Sequence, residues 1–197
     1  KTRHNWDVTR RELVITPGVV FAIATAVRAF TEPGDAVLIQ QPVYYPFANV
    51  IRDNGRTLVD NPLRLENGRY EIDFADFEQK IIENNVKLFI LCSPHNPVGR
   101  VWQTAELERI AEICLRRRVL VVADEIHEEF IRPGFTHTPF AAISPEAAAI
   151  TVTCTSPSKT FNLAGLQISN IFIKNDGLRS RFRTERGKTG YDEPNTL

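Results

Sequence analysis

The sequence predicts an α/β domain in which a mostly parallel sheet lies between two layers of helices, a three-layer αβα sandwich. Short apolar runs of the buried-strand type alternate along the chain with amphipathic helical segments. The 197 residues are 43% hydrophobic, which suffices for one sizeable core. Since no internal repeat, low-complexity tract or linker interrupts the pattern, we expect residues 1–197 to form a single domain.

The first predicted elements are a helix, a strand and a short helical stretch. The helix covers residues 16–30, with Thr16 as its N-cap and Pro17 at the first helical position. A turn sequence follows, and residues 36–39 then form a buried strand. A short helical stretch begins at residues 48–51.

The middle of the chain continues the alternation. Residues 56–72 favour two short strands separated by turn residues. Asp73 is the expected N-cap of a helix over residues 74–84, and residues 87–92 form an apolar run typical of a fully buried strand.

The strongest helical periodicity lies over residues 105–118, with Thr104 as the expected N-cap. Three further strands are predicted at residues 119–123, 148–154 and 168–173.

Composition gives little reason to expect a macromolecular partner of a particular charge. Twenty-four basic and 24 acidic residues cancel, so we expect no binding to nucleic acid or to an anionic membrane. The Arg-rich tail at 177–197 is interpreted as a solvated helix or a frayed end. No apolar run approaches the roughly 20 residues that a membrane crossing needs.

The three cysteines, Cys92, Cys114 and Cys154, lie in apolar segments without metal-ligand spacing. This pattern favours buried reduced thiols, a cytoplasmic protein and no metal site. The sequence contains no methionine, even at position 1, which suggests an excerpt of a longer chain.

Polar side chains follow three successive predicted strands. They are Asn96 after the first strand, Asp124 and His127 after the second, and Ser156, Ser158 and Lys159 after the third. Ligands of open α/β sheets bind outside the carboxyl ends of the strands, so we expect these side chains to meet at one edge.

Each residue also has a simpler interpretation. Asp124 alone could cap a helix, and His127 alone is more often a satisfied, partly buried histidine. The stretch at 95–99 alone is a turn motif, and residues 156–159 could be a helix start or a modification site.

Together, these residue types suit an aldehyde cofactor with a pyridine ring and a phosphate. The Lys159 amine could form a Schiff base, and a buried Asp124 carboxylate would keep the ring nitrogen protonated. Asn96 and His127 could donate to a phenolate oxygen of the ring.

The phosphate and the ring face need further partners. Ser156 and Ser158 offer hydroxyl groups for the phosphate. The N-terminus of the first helix offers the N–H groups of Gly18, Val19 and Val20. Tyr44, which follows the strand at 36–39, could stack on the ring, although alone it could equally be a core or surface tyrosine.

The segments "SPHNPVGRVW", "ADEIHEEF" and "TSPSKTFNLAGLQ" resemble the fold-type-I pyridoxal-phosphate enzymes of the aspartate aminotransferase superfamily. Within the class I/II aminotransferases, the resemblance is strongest to the cystathionine β-lyase or cystalysin-type C–S lyase branch. The resemblance extends over nearly the whole chain. It implies that residues 1–197 are the cofactor-binding large domain of a two-domain homodimer, without the small C-terminal domain.

The resemblance also implies a role for each site residue. Lys159 and Asp124 would be catalytic, as the Schiff-base lysine and the partner of the pyridine nitrogen. The other residues implied to bind pyridoxal phosphate are Gly18, Val19, Val20, Tyr44, Asn96, His127, Ser156 and Ser158. Many members place a phosphate-binding arginine eight residues after the lysine, whereas this chain has Gln167 there.

The resemblance implies a C–S β-lyase that cleaves cystathionine or cysteine-like amino acids to thiol, pyruvate and ammonia. The residues are also compatible with two alternatives. One is an aminotransferase with the same cofactor, and the other is a non-catalytic cofactor-binding or regulatory protein.

Overall fold

A computed structural model describes residues 4–191 of the chain. The strands are β1 Leu13–Thr16, β2 Ala36–Ile39, β3 Thr57–Asp60, β4 Arg64–Glu66, β5 Arg69–Glu71, β6 Leu88–Cys92, β7 Leu120–Asp124, β8 Thr151–Thr155 and β9 Ser169–Phe172. The α-helices are α1 Val19–Phe30, α2 Pro46–Asp53, α3 Phe74–Asn84, α4 Thr104–Arg117, α5 Pro145–Ala149, α6 Pro157–Thr160 and α7 Asp176–Gly187. Short 3₁₀ turns occupy Arg10–Glu12, Phe140–Ala142 and Ala164–Leu166.

Among the described residues, seven strands form one sheet in the order β1-β9-β8-β7-β6-β2-β3. The five strands from β3 to β8 in this order pair in parallel. The strand β9 is antiparallel to β8, and β1 is antiparallel to β9. The predicted mostly parallel sheet is therefore confirmed, with antiparallel pairing confined to one side.

Helices cover both faces of this sheet. Along β7, the side chain of Val122 belongs to one core cluster, whereas Val121 and Ala123 belong to the other, because successive side chains of a strand point to opposite faces. The first cluster contains residues of α1, α2 and α7, and the second contains residues of α3, α4 and α5. This arrangement confirms the predicted three-layer αβα sandwich.

The start of α1 differs from the sequence prediction. Thr16 ends β1 and is not the N-cap, because its hydroxyl donates to the Gly18 carbonyl oxygen at 3.2 Å. Gly18 is the N-cap, with a φ of 119°, a backbone conformation that side chains disfavour. Helix α1 therefore begins at Val19, and Leu13–Thr16 form a strand that we did not predict.

Of two other predicted helix caps, one is confirmed and one is wrong. Asp73 caps α3 as predicted, since its carboxylate accepts hydrogen bonds from the N–H groups of Ala75 and Asp76, both at 3.1 Å. Thr104 is not a cap but the first residue of α4. Gln103 takes the N-cap position, and its N–H donates to the Glu106 carboxylate at 2.7 Å.

Residues 56–72 form three short strands where we predicted two. The strand β3 joins the edge of the main sheet, and β4 pairs with β5 in a separate hairpin. The hairpin turns at Asn67 and Gly68, which both have positive φ angles, as expected of an Asn-Gly turn.

The Arg-rich tail is more than a solvated helix. Phe182 of α7 is fully buried in the core, and Arg179 and Arg186 are also buried. The Arg179 guanidinium donates to the Ile173 carbonyl oxygen at 2.8 Å, and that of Arg186 donates to the Ile15 carbonyl oxygen at 2.9 Å. The end of the predicted tail, residues 192–197, lies outside the described residues.

The cysteines and the hydropathy of the helices are the remaining features of the fold. Cys92, Cys114 and Cys154 are buried and form no disulfide, in agreement with the prediction. Between residues 4 and 191, no helix has the length and apolar character needed to cross a bilayer.

Candidate active site

A cavity of about 230 Å³ opens at the sheet edge where the parallel strands end. The residues predicted for the site all line it: Gly18, Val19, Val20, Tyr44, Asn96, Asp124, His127, Ser156, Ser158 and Lys159. These residues come from the start of α1, from the last position of β7 and from the segments that follow β2, β6, β7 and β8.

Strand register explains the convergence of the predicted residues. Cys92, Asp124 and Cys154 lie side by side on β6, β7 and β8. The segments that follow these positions therefore leave the sheet at the same level, which brings Asn96 and Lys159 to the cavity on either side of β7.

Asp124 is the buried acid of the cavity. Its carboxylate accepts a hydrogen bond from the Ile126 N–H at 3.1 Å, and the residue is only 5% exposed. Burial raises the pKa of Asp124 to about 7, and the neighbouring charge of Glu125 contributes to the rise. The Ile126 N–H and the positive charge of Lys159 oppose it. The buried carboxylate is therefore best stabilised by a partner that donates a proton to it in a hydrogen bond.

Lys159 lies in α6, whose N-cap is Ser156. The Ser156 hydroxyl accepts from the Ser158 N–H at 3.1 Å and lies 2.7 Å from the Ile168 carbonyl oxygen, to which it donates. These bonds fix the turn that carries Lys159. The positive charge of Lys159 lowers the pKa values of both Asp124 and His127, which line the same cavity.

The start of α1 offers donors for an anion. Gly18 provides no side chain to cap the helix, so no side chain accepts a hydrogen bond from the first-turn N–H groups of Val19 and Val20. The dipole of this 12-residue helix favours negative charge at the same place. Ser156 and Ser158 add hydroxyl groups to this part of the cavity.

The remaining predicted residues form the walls. Tyr44 packs edge-on against Phe47, with ring centroids 5.9 Å apart, and burial is the main cause that raises its pKa. The Asn96 N–H points to the Cys92 sulfur at 3.4 Å. His127 is half-buried, and burial is the main cause that lowers its pKa, so its imidazole is neutral at pH 7.

Sequence reasoning missed several lining residues, of which Ser169 is the most polar. Its hydroxyl is buried and has no hydrogen-bond partner within the part of the chain that the structure describes. The rule of inspecting carboxyl ends of strands misses it, because β9 is antiparallel and brings its amino end to this edge. The other missed residues are Pro17, Cys92, Ile126, Ala164 and Ile168.

Gln167 lies where many family members were expected to have an arginine. It lines the cavity with a φ of 45°, in the left-handed region. No positively charged side chain other than Lys159 lines this cavity among the described residues. The other donors that this cavity offers to an anion are therefore those of helix α1 and of hydroxyl groups.

A second cavity of about 650 Å³ adjoins the first. Asn96, His127 and Lys159 line both cavities. A ligand with one end in the first cavity has room to extend its other end into the second.

Comparisons with known proteins agree with this geometry. The family model for aminotransferase class I and II matches residues 1–186. The cystathionine beta-lyase PatB of Bacillus subtilis is 48% identical over 96% of this chain and 49% of the lyase. The protein MalY of Escherichia coli is 30% identical over the whole chain and 50% of that protein.

Solved structures show the same likeness. Cystalysin of Treponema denticola, whose crystal structure contains a pyridoxal 5'-phosphate cofactor, superimposes with a TM-score of 0.97 at 45% identity, over the whole chain and 50% of cystalysin. A pyridoxal-phosphate-bound C–S lyase of Staphylococcus hominis superimposes with a TM-score of 0.90 at 36% identity, over 94% of this chain and 47% of that lyase.

The chain spans about half the length of the curated relatives it matches. The superposition on cystalysin confirms the fold type expected from the resemblance. With the family model matching nearly all of its residues, the chain belongs to the aminotransferase class I and II family.

Proposed function

We propose that the protein is a pyridoxal-phosphate-dependent C–S β-lyase that cleaves cystathionine or other S-substituted cysteines. The observation that carries this proposal is the single cavity in which a buried acid, Asp124, lies within the electrostatic reach of Lys159. The similarity to named C–S lyases supports the lyase reaction.

The donor set of the cavity fits pyridoxal phosphate. Asp124 is a buried carboxyl group that accepts a hydrogen bond from the backbone N–H of Ile126, and its remaining acceptor capacity can bind a protonated ring nitrogen. The first turn of α1, with Ser156 and Ser158, offers N–H and O–H donors to a phosphate. The unpaired buried hydroxyl of Ser169 is a further donor at the same edge.

We propose specific roles for the other side chains. Tyr44 covers one face of the ring, and Asn96 and the neutral His127 donate to its hydroxyl oxygen. Bound pyridoxal phosphate supplies an aldehyde that condenses with amines and a ring that withdraws electrons from the substrate's α-carbon.

In this proposal, Lys159 moves the protons. Its amine would accept the proton of the substrate's α-carbon. Asp124 keeps the ring nitrogen protonated, which favours departure of that proton. The C–S bond then breaks with both electrons going to sulfur, and the thiolate gains a proton. Addition of one water to the remaining aminoacrylate gives pyruvate and ammonia, so atoms and electrons balance without an oxidant.

The test measures pyruvate release from cystathionine by the purified, cofactor-saturated protein. We expect Lys159→Ala to lose turnover by roughly 10²- to 10⁴-fold. Lys174→Ala is the matched control, because Lys174 is exposed and lines neither cavity. Full turnover by Lys159→Ala would refute the role assigned to this lysine.

Transamination is the second candidate, because the same lysine could return the proton to the cofactor instead of allowing elimination. Product formation that requires an added keto acid would favour this alternative over the lyase. A protein that binds the cofactor but turns over neither type of substrate would support the non-catalytic alternative.

We also propose that residues 1–197 form a cofactor-binding domain of a homodimeric protein. Large apolar side chains near the cavity are exposed, including Tyr45 at 73%, Phe161 at 61% and Leu166 at 64%. Such a surface favours a protein partner. Light scattering of the purified protein tests this: a monomer at micromolar concentration would contradict it. The buried, unbridged cysteines support a reducing compartment, and we propose the cytoplasm.

A further inference from the structure

The second cavity has the size of a small-molecule site and leads away from the reacting groups. Its volume of about 650 Å³ lies within the range of roughly 300–1,000 Å³ that ligand pockets occupy. Because it shares Lys159 and His127 with the first cavity, a substrate held at Lys159 can extend its sulfur substituent into it.

The charges on its walls are unbalanced. Among the described residues that line it, none is an aspartate or glutamate. Arg100 is buried and pairs with Glu106 at 2.6 Å and with Glu71 at 3.2 Å. Arg69 also pairs with Glu71, at 2.9 Å. The charges of these two arginines are therefore compensated by glutamates that do not line the cavity.

The histidines of this cavity add no positive charge. Burial lowers the pKa of His95 to about 4, and it also lowers that of His127. Both imidazoles are neutral at pH 7. Of the cations lining the cavity, Lys159 serves the reaction in the proposed function, which leaves Arg132.

Arg132 is the uncompensated charge of this wall. Its guanidinium has no hydrogen-bond or ion-pair partner within residues 4–191. It lies on the loop after β7 between Phe130 and Phe135, whose side chains also line the cavity and are 57% and 56% exposed. A wall that carries a planar guanidinium and two aromatic side chains suits an apolar group that ends in a carboxylate.

We propose that the second cavity binds the sulfur substituent of the substrate and that Arg132 pairs with a carboxylate at its far end. This inference rests on the proposed function and narrows its substrate class. The favoured substrates are cysteines whose sulfur carries an apolar stem with a terminal carboxylate. A terminal ammonium group finds no acidic partner on the described walls.

The first experiment measures binding and does not depend on turnover. The cofactor-saturated protein is titrated by calorimetry with 3-mercaptopropionate and with its neutral amide, which has the same shape. We expect the carboxylate to bind roughly 10- to 100-fold more tightly, as charge-assisted pairing does. Arg132→Gln should abolish the difference, and Arg132→Lys should restore part of it.

The matched control is Arg52→Gln, since Arg52 is exposed on α2 and lines neither cavity. It should keep the preference of the unchanged protein. Equal affinity of the unchanged protein for the acid and the amide would overturn the inference, as would an undiminished preference in Arg132→Gln.

The second experiment compares pyruvate release from S-(2-carboxyethyl)-cysteine and S-(2-carbamoylethyl)-cysteine. Because the carboxylate is remote from the broken bonds, Arg132→Gln should raise KM for the acid roughly 10- to 100-fold and leave kcat unchanged. A protein that releases pyruvate from both at equal KM contradicts only the inference. A protein that releases none but still prefers the acid in calorimetry contradicts only the lyase proposal.

Discussion

The positive charge of Lys159 lowers the pKa of the buried Asp124 carboxyl group, so the two groups interact electrostatically across the cavity, although Asp124 ends strand β7 and Lys159 lies in helix α6. Burial outweighs this effect and holds the pKa near 7. A carboxyl group in this state is poised to share a proton with a ring nitrogen.

The raised pKa of Asp124 predicts a pH-dependent cost to stability. Below pH about 4 the carboxyl group is protonated in both the folded and unfolded protein. Between pH about 4 and about 7 only the folded protein keeps the proton, so the free energy of unfolding falls as pH rises. For the cofactor-free protein we expect Asp124→Asn to be stabilising at pH 8, by at most roughly 4 kcal/mol, and nearly neutral at pH 4.

Chemical denaturation of the cofactor-free protein at the two pH values measures this effect. Asp53→Asn, at an exposed position of α2, is the control and should show no such pH dependence. The same Asp124→Asn variant should lose pyruvate release by roughly 100-fold or more. A variant that is less stable than the unchanged protein at pH 8 would contradict the assignment of Asp124 as a buried, unfavourable charge.

Gly18 predicts a backbone requirement at the turn that we propose binds the phosphate. Its φ of 119° is strained for any side chain, although a Cβ atom there would meet no atom within 4 Å. We expect Gly18→Ala to lower the free energy of unfolding by roughly 1–3 kcal/mol and to weaken binding of pyridoxal phosphate, measured by equilibrium dialysis.

The matched control is Gly187→Ala. Gly187 has an ordinary φ and equally open surroundings, at the end of α7. It should leave cofactor binding unchanged. Identical cofactor affinity in the Gly18 variant would argue against a phosphate at this turn.

Two glutamates of α4 form ion pairs that differ in burial, one with a buried arginine and one with an exposed arginine. Glu106 pairs with the buried Arg100 at 2.6 Å and also accepts from the Gln103 N–H at 2.7 Å. Glu112 pairs with the exposed Arg116 at 2.6 Å. We expect Glu106→Ala to cost roughly 3–5 kcal/mol, because it removes the shorter of the two ion pairs of the buried Arg100 guanidinium. Glu112→Ala should cost under about 1 kcal/mol. Urea unfolding measures both, and equal losses would contradict the distinction.

Phe182 tests whether α7 belongs to the core. Its ring is fully buried in the cluster that also contains α1 and α2. We expect Phe182→Ala to lower the free energy of unfolding by roughly 3–5 kcal/mol through the cavity it leaves. Ile82→Ala, at a position that is 53% exposed, should cost far less. A loss in Phe182→Ala no greater than that of the Ile82 variant would show that α7 is dispensable to the core.

The central sheet was predictable because its strands are buried on both faces. The runs at 87–92 and 119–123 are apolar without alternation, and they correspond to β6 and β7 within one residue at each end. Asp73 was predictable as a cap because its hydrogen bonds are local to the turn that follows. The strand β1 was not, because its pairing with β9 joins segments far apart in the sequence.

The amino-acid sequence by itself determined which side chains follow the parallel strands, and hence that Asn96, Asp124 and Lys159 would meet at one edge. This was possible because parallel strands all point their carboxyl ends the same way. Only the tertiary structure decided that Ser169 joins them, through the antiparallel β9, and that Arg132 has no counter-charge from residues 4–191 beside the second cavity. Both depend on distances between residues remote in the chain, which no local pattern of residues encodes.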